Sequence, residues 1–216
     1  MPSLASAKLV ATATRLFYER GIAATGVDTI VAESGVSKPT LYTHFRTKHR
    51  LIAAVLEQQH QERRASLEAH LQARSMLSPL ERLLSVFDWI AGHQRSDWAR
   101  GCPFVNASVE LVAHDDTEAR KVIHQHKRWF RRSLADLAAQ AGVVDAPEIA
   151  AQLHLLIEGA NARMLVDADV AAIHAAKKAA AILINHAARQ IEASARRSPS
   201  RRPRNAALRK TGEADV

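Results

Sequence analysis

The stretch from Gly21 to Lys48 is punctuated so closely that few folds can accommodate it. Val27, Ile30 and Val31 repeat with helical spacing, Gly35 interrupts them, and Leu41 and Phe45 resume four residues apart. This pattern predicts one short helix over about Gly26–Ser34 and another from Ser37 to about Phe45. Glycine stops a helix because it enters the left-handed region without a Cβ clash. Ser37 is a good N-cap, and Pro39 is tolerated in a first turn, where its missing N–H costs little. Thr25-Gly26-Val27-Asp28 reads as a capping-box variant, with the Thr25 hydroxyl accepting an N–H while Asp28 reaches back. Two helices of about two turns cannot stand alone in water, so they must dock on longer neighbours. The neighbours are a helix over Leu4–Arg20, with Leu9, Ala13, Leu16 and Phe17 on one face, and a long helix from Lys48 to about Arg74. A short helix pair joined around a glycine turn is a helix-turn-helix unit.

The rest of the chain is also helical in pattern. Apolar residues make up 47% of it, enough for a core, while Gly and Pro are few and alanine is plentiful. Pro79, Cys102-Pro103 and Pro147 divide it into helices at about Pro79–Arg95, Phe104–Ala113, Thr117–Ala141, Pro147–Val166 and Asp169–Arg196. The expected fold is all-α with about nine helices. The last two have a broad apolar surface suited to a four-helix dimer interface. After Ala195 the chain becomes Arg-, Ser- and Pro-rich, the composition of a disordered basic tail.

Net charge is +8, but the segment from Ser194 to Val216 accounts for +5 of it, so charge alone says little about the body. The single cysteine, Cys102, rules out an internal disulfide, and a buried structural role is expected for it rather than redox sensing. No apolar run approaches the roughly 20 residues of a membrane span, and a soluble cytoplasmic protein is expected. Phosphate loops, dinucleotide fingerprints and nucleophile elbows are all missing, so no enzyme and no cofactor are expected. No HExxH or paired-cysteine spacing supports a metal, and His114-Asp115-Asp116 with His124 and His126 is not counted as a site.

The segments Gly21–Val27 and Ser34–Lys48, above all Leu41-Tyr42-Thr43-His44-Phe45 followed by Arg46 and Lys48, resemble the DNA-binding domain of the TetR family of regulators. The likeness covers about residues 4–60. It implies a three-helix helix-turn-helix domain at 1–60, an effector-binding and dimerisation domain at 61–195, and the tail at 196–216. It further implies a homodimer that binds a palindromic double-stranded DNA operator and is released by a small-molecule effector. Lys38, Thr40 and Thr43 are the implied base-proximal residues. Tyr42, His44, Ser37, Thr25 and Lys48 are the implied phosphate contacts. Gly26 stands where many members have a second Thr, and Pro39, where Gly is frequent, offers no backbone N–H. The basic cluster Arg46, Lys48, His49 and Arg50 opens a helix where acids are normally preferred, an arrangement a nearby phosphate would favour.

Arg100–Glu110 and Leu155–Ala160 resemble the sixth and eighth helices of part of the family. Trp89, His93, Trp98, Phe104, Asn106, Trp129 and Glu158 are the candidate effector-pocket residues, aromatics with a few polar groups. Two rival readings are a helical ligand-binding bundle without specific DNA binding and a nonspecific chromosome-associated protein.

Overall fold

Nine helices and no strands are present among the described residues, which are 3–96, 101–111, 117–169 and 171–197 of a computed structural model. They are α1 (Leu4–Arg20), α2 (Val27–Ser34), α3 (Lys38–Phe45), α4 (Lys48–Gln72) and α5 (Pro79–Ser96), then α6 (Pro103–Glu110), α7 (Thr117–Gln140), α8 (Ala146–Asp167) and α9 (Ala172–Arg197). Trp98, the His114-Asp115-Asp116 run and residues 198–216 lie outside the described residues.

Helix ends follow local chemistry. Ser3 caps α1, Ser37 caps α3 through the Thr40 N–H, Thr47 caps α4 through the Arg50 N–H, and Asp145 caps α8. Gly35 closes α2 at φ 66°. The turn after α3 is less ordinary. Arg46 adopts φ 59° and ψ −38°, and the Thr47 N–H bonds the Phe45 carbonyl at 2.6 Å, forming a tight γ-turn on a non-glycine residue.

The α2 start corrects the capping-box expectation. Its N-cap is Gly26, which has no side-chain hydrogen bond. Thr25 is instead fully buried and donates its hydroxyl proton to the Gly21 carbonyl at 2.7 Å. Asp28 pairs with Lys38 at 2.7 Å rather than reaching back.

α1, α2, α3 and the first half of α4 bury Leu9, Leu16, Ile30, Leu41, Leu51 and Ile52 together. The same cluster takes in Phe104 and Ala107 of α6 and Leu111 just after it, so the small head is seated on the body. A second cluster, with Phe87, Trp89, Phe130, Leu134, Leu153 and Ile173, forms the body core. α7 runs through this body, touching α4, α5, α6 and α8, while α9 covers α5 and α8. Asp88 and Lys177, 2.7 Å apart, tie α5 to α9.

Candidate nucleic-acid interface and buried polar centre

Leu41 and Phe45 fix the orientation of α3 by their burial, and the other side of the helix follows from the 3.6-residue repeat. Lys38, Pro39, Tyr42, Thr43 and His44 are exposed and Thr40 is partly so; Tyr42 retains 41% of its surface. Local bonds already orient several of these groups. Ser37 Oγ lies 2.7 Å from Thr40 Oγ1, Thr43 donates to the Pro39 carbonyl at 2.9 Å, and His44 Nε2 lies 3.1 Å from Ser3 Oγ. The face thus offers hydroxyls, an imidazole, a phenol and an ammonium on a rigid helix, the donor set suited to base edges and phosphates.

Two expected contacts lie elsewhere. Thr25 is sealed inside the head, so its hydroxyl does not face an exposed anion. Lys48 is half-buried, and its ammonium donates to the Ile22 carbonyl at 2.6 Å. Burial holds its pKa below the ordinary lysine value, opposed by the charge of Glu110. Lys48 therefore fastens the α1–α2 turn to α4 rather than pointing outward. Arg50 also faces the body, 3.6 Å from Glu118.

The body contains an unusually polar interior. His60 and His126, on α4 and α7, are both buried, with their Nδ1 atoms 3.2 Å apart. Two ring nitrogens at that distance require one donor and one acceptor. Phe104 stacks flat on His126 at a centroid distance of 3.6 Å, and Trp129 meets both imidazoles at about 5.4 to 5.5 Å. Burial, reinforced by neighbouring Lys127, pushes the His126 pKa down to about 2, so the ring is neutral. Alongside, Lys127 bonds Glu158 at 2.7 Å and lies 3.8 Å from the Cys102 sulfur. Burial pushes the Glu158 carboxyl up, but His154 and Lys127 together outweigh it and bring its pKa to about 2. His154 Nε2 lies 3.3 Å from Glu158 without the alignment of a full hydrogen bond.

Of the pocket residues expected from sequence, Trp89, Phe104, Trp129 and Glu158 surround this centre. His93 does not belong to it. Its Nδ1 donates to the Trp89 carbonyl at 2.8 Å, so its Nε2 accepts from Ser66, which in turn accepts from the Trp89 indole. That relay joins α4 to α5. Asn106 lines a different space, a crevice of about 440 Å³ between the α1–α2 turn, α4 and α6. Sequence reasoning missed His60, Lys127 and Asn161, and it weighed His126 only as a metal ligand and set it aside. The signal was present for the two histidines. His60 continues the Ile52–Leu56 stripe, and His126 sits between Ile123 and Phe130 on the buried face of α7.

α6 connects the two regions. Its N-terminal end holds Cys102 and Phe104 against the polar centre, and its last residue, Glu110, accepts the Ala23 N–H of the head at 2.8 Å. Gly21 has φ 93°, and a Cβ there would come within 3.1 Å of the Glu110 carboxylate. Glycine thus serves both the backbone turn and the close approach of α6.

The comparisons with known proteins agree with this architecture. Residues 9–55 match the family described as bacterial regulatory proteins, tetR family, and residues 79–180 match the tetracyclin repressor-like C-terminal domain. A TetR-family transcriptional regulator from Streptomyces coelicolor is 32% identical, with a TM-score of 0.72 over 87% of this chain and 95% of its own. The regulatory protein TetR from Rhodobacter sphaeroides is 25% identical, with a TM-score of 0.71 over 83% of this chain and 98% of its own. The transcriptional repressor DhaR from a Mycobacterium species is 28% identical over 57% of this chain, a match spanning 60% of that protein. With both halves matched, the chain belongs to the TetR family of helix-turn-helix transcriptional regulators and is a DNA-binding transcription factor, not an enzyme.

Proposed function

We propose that the protein is a homodimeric repressor that places α3 in successive major grooves of a palindromic operator and leaves it when a small molecule occupies the body. The outward polar face of α3, held by buried Leu41 and Phe45, carries this reading. Lys38, Thr40 and Thr43 address base edges; Ser37, Tyr42, His44 and the uncapped N–H groups after Gly26 address phosphates. Residues 1–60 form the reading head, 61–195 the effector and dimerisation part, and 196–216 a basic tail with nonspecific phosphate affinity.

Dimerisation is assigned to α8 and α9. Leu155, Gly159, Ala162 and Val166 form an exposed stripe along α8, with Ala175 and Ile182 along α9; Leu155 and Ile182 retain 71% and 70% of their surface. Two heads on a twofold axis fit half-sites one turn apart, about 34–36 Å, or a multiple of it. The effector acts at the buried polar centre, where displacing Phe104 or Cys102 moves α6 and, through Glu110, the head.

Competition binding tests the reading. The protein should prefer an operator, selected from genomic fragments, over random DNA by about 10³-fold or more. Equal affinity for every sequence would overturn it.

A further inference from the structure

We infer that Asp28, which lies outside α3, sets how strongly the protein prefers its operator over other DNA by serving as the counterion of Lys38, an inference resting on the reading of α3 as the groove-facing helix. Asp28 is the second residue of α2 and Lys38 the first of α3, and the turn through Gly35 brings them together. The Lys38 ammonium donates to Asp28 Oδ1 at 2.7 Å, and both side chains are open to solvent, Asp28 at 82% and Lys38 at 49%. Asp28 is also the main group acting on Lys38, raising its pKa above the ordinary lysine value, with Tyr42 a weaker contributor.

The head has three acids between residues 3 and 50, namely Glu19, Asp28 and Glu33. Glu19 pairs with Arg15, and Glu33 with Arg15 and Arg20, all cations of α1. Of the three, Asp28 alone is paired with a side chain of α3. A carboxylate suits the first turn of an isolated helix. On a surface that had only to attract a polyanion it would be out of place, since it stands beside the N–H groups after Gly26 that are assigned to a phosphate.

The pairing has opposite consequences for the two kinds of acceptor on DNA. Phosphates are the same on every sequence, and a free ammonium binds them by releasing counterions. Paired with Asp28, Lys38 presents no net charge, so that gain is lost. Base edges are read by hydrogen bonds instead. An ammonium has three N–H donors, so one bond to Asp28 leaves two for the O6 and N7 of a guanine. The pair therefore weakens binding to every sequence while keeping the donors that recognise the operator.

Asp28→Asn removes the charge and keeps the shape. Fluorescence anisotropy of the full-length protein, with the selected operator and with random duplex of equal length, measures both affinities over about 50–200 mM salt. The variant should bind random DNA about fivefold tighter, and its slope of log affinity against log salt should steepen by about 0.9, the value of one further phosphate contact. Operator affinity should rise less, so that the preference falls about threefold or more. Asp28→Glu retains the charge and should restore the preference. Asp136→Asn makes the same change of net charge on the exposed side of α7 and should leave slope and preference as in the parent. Without DNA, the Lys38 amine, followed by carbon-13 NMR, should titrate at lower pH in Asp28→Asn than in the parent. The inference is overturned if Asp28→Asn matches the parent in random-DNA affinity and preference, if Asp136→Asn has the same effect, or if the Lys38 titration does not move. A parent protein without operator preference would sink the repressor reading instead, and the random-DNA slopes and the Lys38 titration would still report on Asp28.

Discussion

Lys48 and Arg46, two residues apart, show how far the role of a basic side chain depends on its surroundings. The Lys48 ammonium meets the Ile22 carbonyl at 2.6 Å in a half-buried position. A charge-assisted bond of this kind is worth about 1.5–3 kcal/mol. Lys48→Met should therefore lower the stability of the head by about that amount, measured by denaturant unfolding; an unchanged midpoint would contradict the fastening role. Arg46 carries the positive φ of the γ-turn between α3 and α4. Glycine reaches that conformation more cheaply, so Arg46→Gly should raise stability by roughly 1 kcal/mol in the same assay. A loss instead would mean that the arginine side chain contributes more than its backbone costs.

At the scale of elements, α6 is short and does two jobs. Cys102 and Phe104 at its start, themselves part of the head's cluster, reach the polar centre of the body, and Glu110 at its end bonds the head. Eight residues of helix span only about 12 Å, short enough to transmit a displacement as a rigid piece. Glu110→Ala removes the acceptor of the Ala23 amide. Hydrogen exchange at Ala23 should quicken by about tenfold or more, the equivalent of the roughly 1.5 kcal/mol lost with a charged acceptor. Exchange in the α8 core around Leu153 should not change. If Ala23 exchanged at its original rate, α6 would not be holding the head.

For the whole molecule, the buried polar centre makes stability depend on pH. The unfolded chain protonates His126 near its ordinary value of about 6.5, whereas the folded protein does so only near 2. Between those values the unfolded state holds the extra proton, so stability falls as pH drops, by about 1.4 kcal/mol per pH unit. His60 and His70, also lowered chiefly by burial, act in the same direction. Glu158, ionised down to about 2, adds stability above the ordinary carboxylate range that is lost as pH falls from about 4.5 toward 2. His126→Gln should make the decline between pH 6 and 5 shallower by about one proton, measured by urea unfolding at each pH. An unchanged slope would show that His126 does not carry this dependence.

The helix order, the two short helices and the outward face of α3 were all legible in the chain, because caps and apolar periodicity are local properties. Gly35, Ser37, Leu41 and Phe45 specify their turn and their face with neighbours only a few residues away. The roles of Thr25 and Lys48 were not legible. A threonine before a helix and a lysine at a helix start look alike in sequence whether they face water or a carbonyl, and only packing turned both inward. His60 and His126 are 66 residues apart, and nothing local pairs them; the crossing of α4 and α7 does. The sequence by itself determined the elements and the family, since these rest on short-range patterns. Tertiary structure decided which polar side chains are buried together, because desolvation and charge pairing act between groups that only folding brings within a few ångströms.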